Sequence, residues 1–185
     1  MSLYPKVILI GDATTQKSFG QHNNINSWGA ALSHRLTRKC DVYNRGFSGY
    51  NTHMTKQILP ELITKGISLE VAVVVIFLGS NDAILEECSP KQHVPVLEYK
   101  ANLKEMAQYL LTVSILREKI ILITPPPLDE EKWEKECTAK AIISILRAVP
   151  KYLLEVTPSI DEARIPSLPS ILTVCSGHKQ HQAFR

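Results

Sequence analysis

Residues 71–78 read Val-Ala-Val-Val-Val-Ile-Phe-Leu, an unbroken and mostly β-branched apolar run that Gly79 closes. A run this short does not span a bilayer. Its continuity, with no polar residue on alternate positions, marks a strand buried on both faces, as in a parallel sheet covered by helices. Three further segments share this character. Val7 to Ile10 stops at Gly11-Asp12, Asp41 to Asn44 runs into the Gly46–Gly49 stretch, and Ile120 to Thr124 is cut off by Pro125-Pro126-Pro127.

Between these runs the apolar spacing turns helical. Behind the capping residues Asn26 and Ser27, Trp28, Ala31, Leu32 and Leu36 recur on one side, with Arg35, Arg38 and Lys39 on the other. Met54, Ile58, Leu59, Leu62 and Ile63 mark a second helix, in which Pro60 predicts a kink or a late start. Leu97, Ala101, Leu103, Met106, Ala107, Leu110 and Leu111 mark a third, and Trp133 to Val156 a fourth broken by Pro150. Strand–helix alternation of this kind predicts an α/β sandwich, a doubly wound parallel sheet with helices on both faces.

That domain is expected over residues 1–156. From Thr157 the chain changes to scattered prolines and serines with no strand-length apolar run, which predicts a flexible tail over 157–185. Apolar residues at 44%, charged residues at 21% and a net charge of +3 fit a soluble globular protein. The charges are mixed along the chain, so no nucleic-acid partner is expected. The apolar stretch before Gly11 is too short for a secretory signal, and no run is long enough for a membrane span, so the reading is an intracellular, cytoplasmic protein. Cys40, Cys88, Cys137 and Cys175 are widely spaced and read as free thiols in a reducing compartment. Cys175 and His178 are two potential ligands without a second pair, so no metal and no cofactor is expected.

In a doubly wound sheet the active site lies outside the carboxyl ends of the strands. Three of those ends carry small or polar residues: Gly11-Asp12-Ala13, Asn44-Arg45-Gly46 and Gly79-Ser80-Asn81-Asp82. Each alone is an ordinary turn. Together they converge on one rim.

Gly11-Asp12-Ala13-Thr14-Thr15-Gln16 resembles the opening block of the SGNH (GDSL-type) hydrolases. Asn44 to Thr52 resembles their second block, and Gly79-x-Asn81-Asp82 their G-x-N-D block. Trp28-Gly29-Ala30, Arg38 to Val42, Pro90-Lys91-Gln92-His93 and Ile121 to Pro125 resemble the isoamyl acetate-hydrolysing esterases within that group. The resemblance covers roughly residues 5–155. It implies a flavodoxin-like sheet whose last strand and C-terminal helix are missing here, and a place in the hydrolysis of small carboxylic esters and in lipid breakdown.

In that family a serine of the first block attacks the ester carbonyl, and the histidine of a late D-x-x-H pair acts as base. Carried over, the serine position is Ala13, and the oxyanion donors are the Gly46 N–H and the Asn81 amide. Thr14, Thr15 and Ser18 are displaced from the nucleophile position, and Ser48 lacks the G-x-S-x-G spacing because Tyr50 replaces the second glycine. The chain contains no D-x-x-H: Asp161 is followed by Arg164, and His178 and His181 have no aspartate three places earlier. His22, His34, His53 and His93 read as solvated side chains, and Asp12 as a residue that ties the strand-end loop.

In serine proteases, loss of the nucleophile alone costs on the order of 10⁶ in turnover, or roughly 8 kcal/mol of barrier. The expectation is therefore a catalytically impaired ester-hydrolase-family protein, a pseudoenzyme keeping a pocket for a small ester or carboxylic acid. Two alternatives stand beside it: a non-catalytic binding or regulatory module, and a truncated splice product.

Overall fold

A computed structural model describes residues 3–22, 25–86 and 89–126. The chain opens with strand β1 (Lys6–Gly11), one helical turn α1 (Ala13–Gln16), a two-residue antiparallel ribbon of β2 (Gln21–His22) and β3 (Ile25–Asn26), and helix α2 (Trp28–Arg35). Strand β4 (Asp41–Gly46), helix α3 (Thr52–Leu62), the short α4 (Lys65–Ser68) and strand β5 (Val71–Phe77) follow. Helix α5 (Val96–Thr112), a 3-10 turn (Arg117–Lys119) and strand β6 (Ile120–Ile123) complete the described elements.

The four long strands form one parallel sheet in the order β4-β1-β5-β6. Alternate side chains of β1 and β5 enter two separate cores. Ile8, Ile10, Val74 and Ile76 pack with Leu59 and Ile63 and with Leu103, Met106 and Leu110 on one face. Val7, Leu9, Val73 and Val75 pack with Leu36, Trp28 and Leu32 on the other. The expected doubly wound sheet with helices on both faces is what the structure shows. Each fully buried Val or Ile of β5 contributes roughly 1.5–3 kcal/mol through burial, which is why an apolar run this continuous commits to the sheet's centre.

Several local readings are corrected. Of the kink or late start expected from Pro60, the late start is not seen: α3 begins at Thr52 and holds Pro60 inside its last turn, where the proline has no N–H for the Lys56 carbonyl. Ser27 is the N-cap of α2, but its hydroxyl donates to Gly20 O instead of capping. Leu97 is 82% exposed, because the buried stripe of α5 is set by Tyr99, Leu103, Met106 and Leu110. Cys40 is buried and disulfide-bonded, which departs from the free-thiol reading; sequence separation does not report which cysteines meet in space. The expected helix over 133–156, the tail over 157–185 and the missing last strand lie outside the described residues. Among the described residues no helix is long and apolar enough to cross a membrane.

Candidate active site

β1 pairs with β4 on one side and with β5 on the other. The connections leaving β1 and β4 therefore run to opposite sides of the sheet, and the crevice beyond the carboxyl ends of β1 and β5 is its topological switch point. Ala13 follows β1, and Asn81 follows β5 by four residues, so both flank that crevice. Gly46 ends β4 next door.

The loop after β1 is fixed by Asp12. Its Oδ1 accepts the Thr14 N–H at 2.8 Å and caps α1, placing Ala13, half-buried, as the first helical residue. A methyl group there has no lone pair and no acidic proton. The far end of α1 is stitched to β4: Asn44 Nδ2 donates to Thr15 O at 2.8 Å and Gln16 O at 3.2 Å. Gln16 Oε1 in turn accepts the Ser48 N–H at 2.6 Å.

Gly46 sits under this stitch. A Cβ there would overlap the Gln16 nitrogen and lie 2.7 Å from the Thr15 carbonyl carbon. Its N–H donates to Asn44 Oδ1 at 2.9 Å, so the group expected to face an oxyanion is already engaged inside the protein. Three residues on, Phe47 O accepts the Tyr50 N–H at 3.1 Å across a turn whose third residue, Gly49, has φ +84°. This is the left-handed position that favours glycine in a type II turn. The Gly49 N–H carries no hydrogen bond among the described residues.

Asn81 is half-buried. Its Nδ2 donates to Tyr50 O at 2.8 Å and its Oδ1 accepts from Gln92 Nε2 at 3.4 Å. Gln92 Nε2 also donates to Gly49 O at 3.0 Å. The carboxyl-end loops of β4 and β5 are thus joined side chain to backbone, through a residue from the segment before α5.

Behind the rim lies a buried polar chain. Asp82 Oδ1 accepts the Thr52 N–H at 2.9 Å and the Thr52 hydroxyl. Asn102 Nδ2 donates to that hydroxyl at 3.1 Å, and Lys56 Nζ donates to Asn102 Oδ1 at 2.7 Å while pairing with Glu105 at 2.9 Å. Asp82 Oδ2 is buried and has no hydrogen-bond partner among the described residues. Burial pushes the Asp82 carboxyl up to about 6 against the Thr52 hydrogen bonds, with the nearby Asp12 charge adding to it. Burial likewise raises Asp12, opposed by its bonds to Thr14 and Ser80, and raises Tyr99, whose hydroxyl donates to Leu78 O at 3.0 Å.

The structure thus places Ala13, Gly46 and Asn81 at the carboxyl ends of three neighbouring strands. It adds Gly49 and Gln92, which the sequence reading does not single out. A glycine two places before the Asn51 cap of α3 is the signal available for the first; for the second there is none, since 43 residues separate Gln92 from Gly49. Of the described histidines, His53 pairs with Glu98 at 3.4 Å on the exposed surface of α3 and α5, His93 Nδ1 meets Ile84 O at 2.6 Å, and His34 is exposed. His178 and His181 lie outside the described residues.

Comparison with known proteins agrees with this architecture. Residues 7–168 match the family described as GDSL-like Lipase/Acylhydrolase. The mouse isoamyl acetate-hydrolyzing esterase 1 homolog is 58% identical over 139 residues, covering 75% of this chain and 54% of its own length. The isoamyl acetate-hydrolyzing esterase of Saccharomyces cerevisiae is 35% identical over 157 residues, covering 82% of this chain and 62% of its own. The chain therefore spans about half the length of the mouse relative. A carbohydrate acetylesterase family member from Sinorhizobium meliloti superposes with a TM-score of 0.62 at 20% identity, over 87% of this chain and 80% of that one, a likeness of fold. The resemblance first carried by the three strand-end blocks is borne out, and the chain belongs to the GDSL-like lipase/acylhydrolase family.

Proposed function

We propose that this chain binds small carboxylic esters or their acids at the switch-point crevice and does not hydrolyse them efficiently. The observation that carries the reading is Ala13: the first residue of α1, held by the Asp12 cap at the mouth of the crevice, has no nucleophilic atom. Of the expected oxyanion donors, Asn81 retains that role. For the second, the uncommitted Gly49 N–H suits the role better than Gly46, whose N–H Asn44 already holds. Donors aimed at a carbonyl or carboxylate oxygen support binding without a nucleophile, as in an oxyanion hole. The relatives' names point to small acetate esters as probes.

A thermal-unfolding series tests binding. Acetate or isoamyl acetate at 100 times its dissociation constant stabilises a folded protein by about 2.7 kcal/mol, so the unfolding midpoint should climb with concentration in the native chain and not in Asn81→Ala. Midpoints that ignore both compounds up to solubility would remove the binding reading.

A further inference from the structure

Resting on the reading of this rim as an oxyanion-type site, we propose that Gln92 is its positioning residue. In this role it holds the Asn81 amide and the Gly49 turn in the one arrangement that directs donors into the crevice. Gln92 comes from the segment before α5, outside the three strand-end blocks, and touches none of the atoms that would meet a ligand.

Both hydrogens of its carboxamide nitrogen are used. One carboxamide nitrogen reaches two acceptors, Gly49 O at 3.0 Å and Asn81 Oδ1 at 3.4 Å, and an amide nitrogen carries two hydrogens to serve them. The Ser89 hydroxyl donates to Gln92 Oε1 at 3.0 Å, and Gly49 O, which can only accept, fixes the nitrogen end of the amide. The Gln92 backbone is held as well: its N–H donates to Ser89 O at 3.0 Å, and its carbonyl accepts from Asn51 Nδ2 at 3.0 Å. Asn51 is itself committed, its Oδ1 capping α3 through the Met54 N–H at 2.9 Å. Gln92 is therefore a fixed reference point for the rim.

The consequence for Asn81 is orientational. An asparagine amide fits its slot in two ways that differ only by exchange of oxygen and nitrogen. With Gln92 donating to Oδ1, the nitrogen end must face Tyr50 O and the crevice. One hydrogen goes to Tyr50 O at 2.8 Å, leaving the other for a ligand oxygen. Rotation of the amide would set Oδ1 against Tyr50 O and present an acceptor where an anion should bind. Gln92 similarly pins the carbonyl of Gly49, whose φ of +84° sets the direction of its uncommitted N–H. A glutamate at this position has the same shape but sets a carboxylate oxygen against two other acceptors, and so favours the rotated amide.

The test uses the whole chain, ¹⁵N-labelled, with acetate as the probe. The Asn81 side-chain resonances are assigned by their loss in Asn81→Ala. Gln92→Glu and Gln92→Leu are then compared with the native chain without ligand and through an acetate titration. Both variants should move the Asn81 side-chain resonances in the ligand-free protein and weaken acetate by at least about tenfold, or 1.4 kcal/mol. Gln92→Leu, which removes the donor without adding a charge, should keep a dispersed backbone spectrum. A merely structural role would lower the unfolding midpoint while leaving acetate affinity in place, and that result overturns the proposal. If the native chain does not bind acetate, the reading of the rim fails. The proposal then falls with it, whereas acetate binding by the native chain with unchanged affinity in both Gln92 variants overturns the proposal alone.

Discussion

Asn44 Oδ1 holds the Gly46 N–H at 2.9 Å while Asn44 Nδ2 caps the carbonyls of Thr15 and Gln16. One side chain thus fastens the end of β4 to the helical turn that carries Ala13. The glycine at position 46 is required by that fastening, because α1 lies directly on its Cα.

Gly46 and Gly49 should therefore respond differently to alanine. Gly46→Ala drives a methyl group into the α1 backbone, and overpacking of this kind costs typically 1–3 kcal/mol, occasionally more. At Gly49 the nearest atom to a new Cβ is Gln92 Nε2 at 3.5 Å, so only the left-handed backbone is penalised, by about 1–2 kcal/mol. Urea unfolding of the two variants should rank Gly46→Ala as the more damaging. Equal losses would show that α1 lifts away from β4 without cost.

Asp82 predicts a pH dependence with a definite sign. Its carboxyl is raised from 3.8 to about 6 in the folded chain, chiefly by burial, so folding favours its protonated form. The stabilisation is fully present below about pH 4 and is lost as pH climbs through 6. A rise of that size corresponds to roughly 3 kcal/mol. Asp82→Asn keeps an oxygen for Thr52 and removes the charge. Between pH 4 and 6.5 the native chain should lose stability relative to Asp82→Asn in urea titrations. Parallel curves would mean that Asp82 Oδ2 finds a partner when ionised.

Much of this site is legible in the amino-acid sequence. Gly11-Asp12, Asn44 to Gly46 and Gly79 to Asp82 each end an apolar run, and strand burial is a local, period-based signal. α1 is not legible there, because a single turn is too short to show periodicity. The choice between Gly46 and Gly49 depends on where Asn44 points and on one backbone angle, and neither is encoded in spacing. Leu97 misleads for a related reason: α5 turns its stripe toward Tyr99, whose hydroxyl must reach Leu78 O at 3.0 Å, and Leu97 falls outside it.

Asn81→Ala removes the hydrogen bond to Tyr50 O and leaves that carbonyl without this donor. The expected loss is about 1–2 kcal/mol of stability, within the range for an unmade hydrogen bond, with the fold kept because Asn81 contributes to neither core. Far-ultraviolet circular dichroism and urea unfolding check both points. Collapse of the cooperative transition would place Asn81 in the folding framework instead of the site.

Ala13→Ser returns an oxygen to the mouth of the crevice but supplies no D-x-x-H base. Its turnover of short acyl esters should stay at least about 10³-fold below that of an intact triad, since triad members act as a unit. Steady-state kinetics on this variant check the base directly, and near-normal rates would reveal one acting from elsewhere.

The central claim is that the native chain holds ester oxygens without attacking the ester. The most direct measurement is hydrolysis of 4-nitrophenyl acetate by the purified native chain alongside Asn81→Ala, followed from the first turnover for release of nitrophenolate. Neither a stoichiometric burst nor a steady rate that depends on Asn81 is predicted. A burst equal to the protein concentration, or a steady rate abolished by Asn81→Ala, would contradict the account and show that the chain carries a nucleophile other than residue 13.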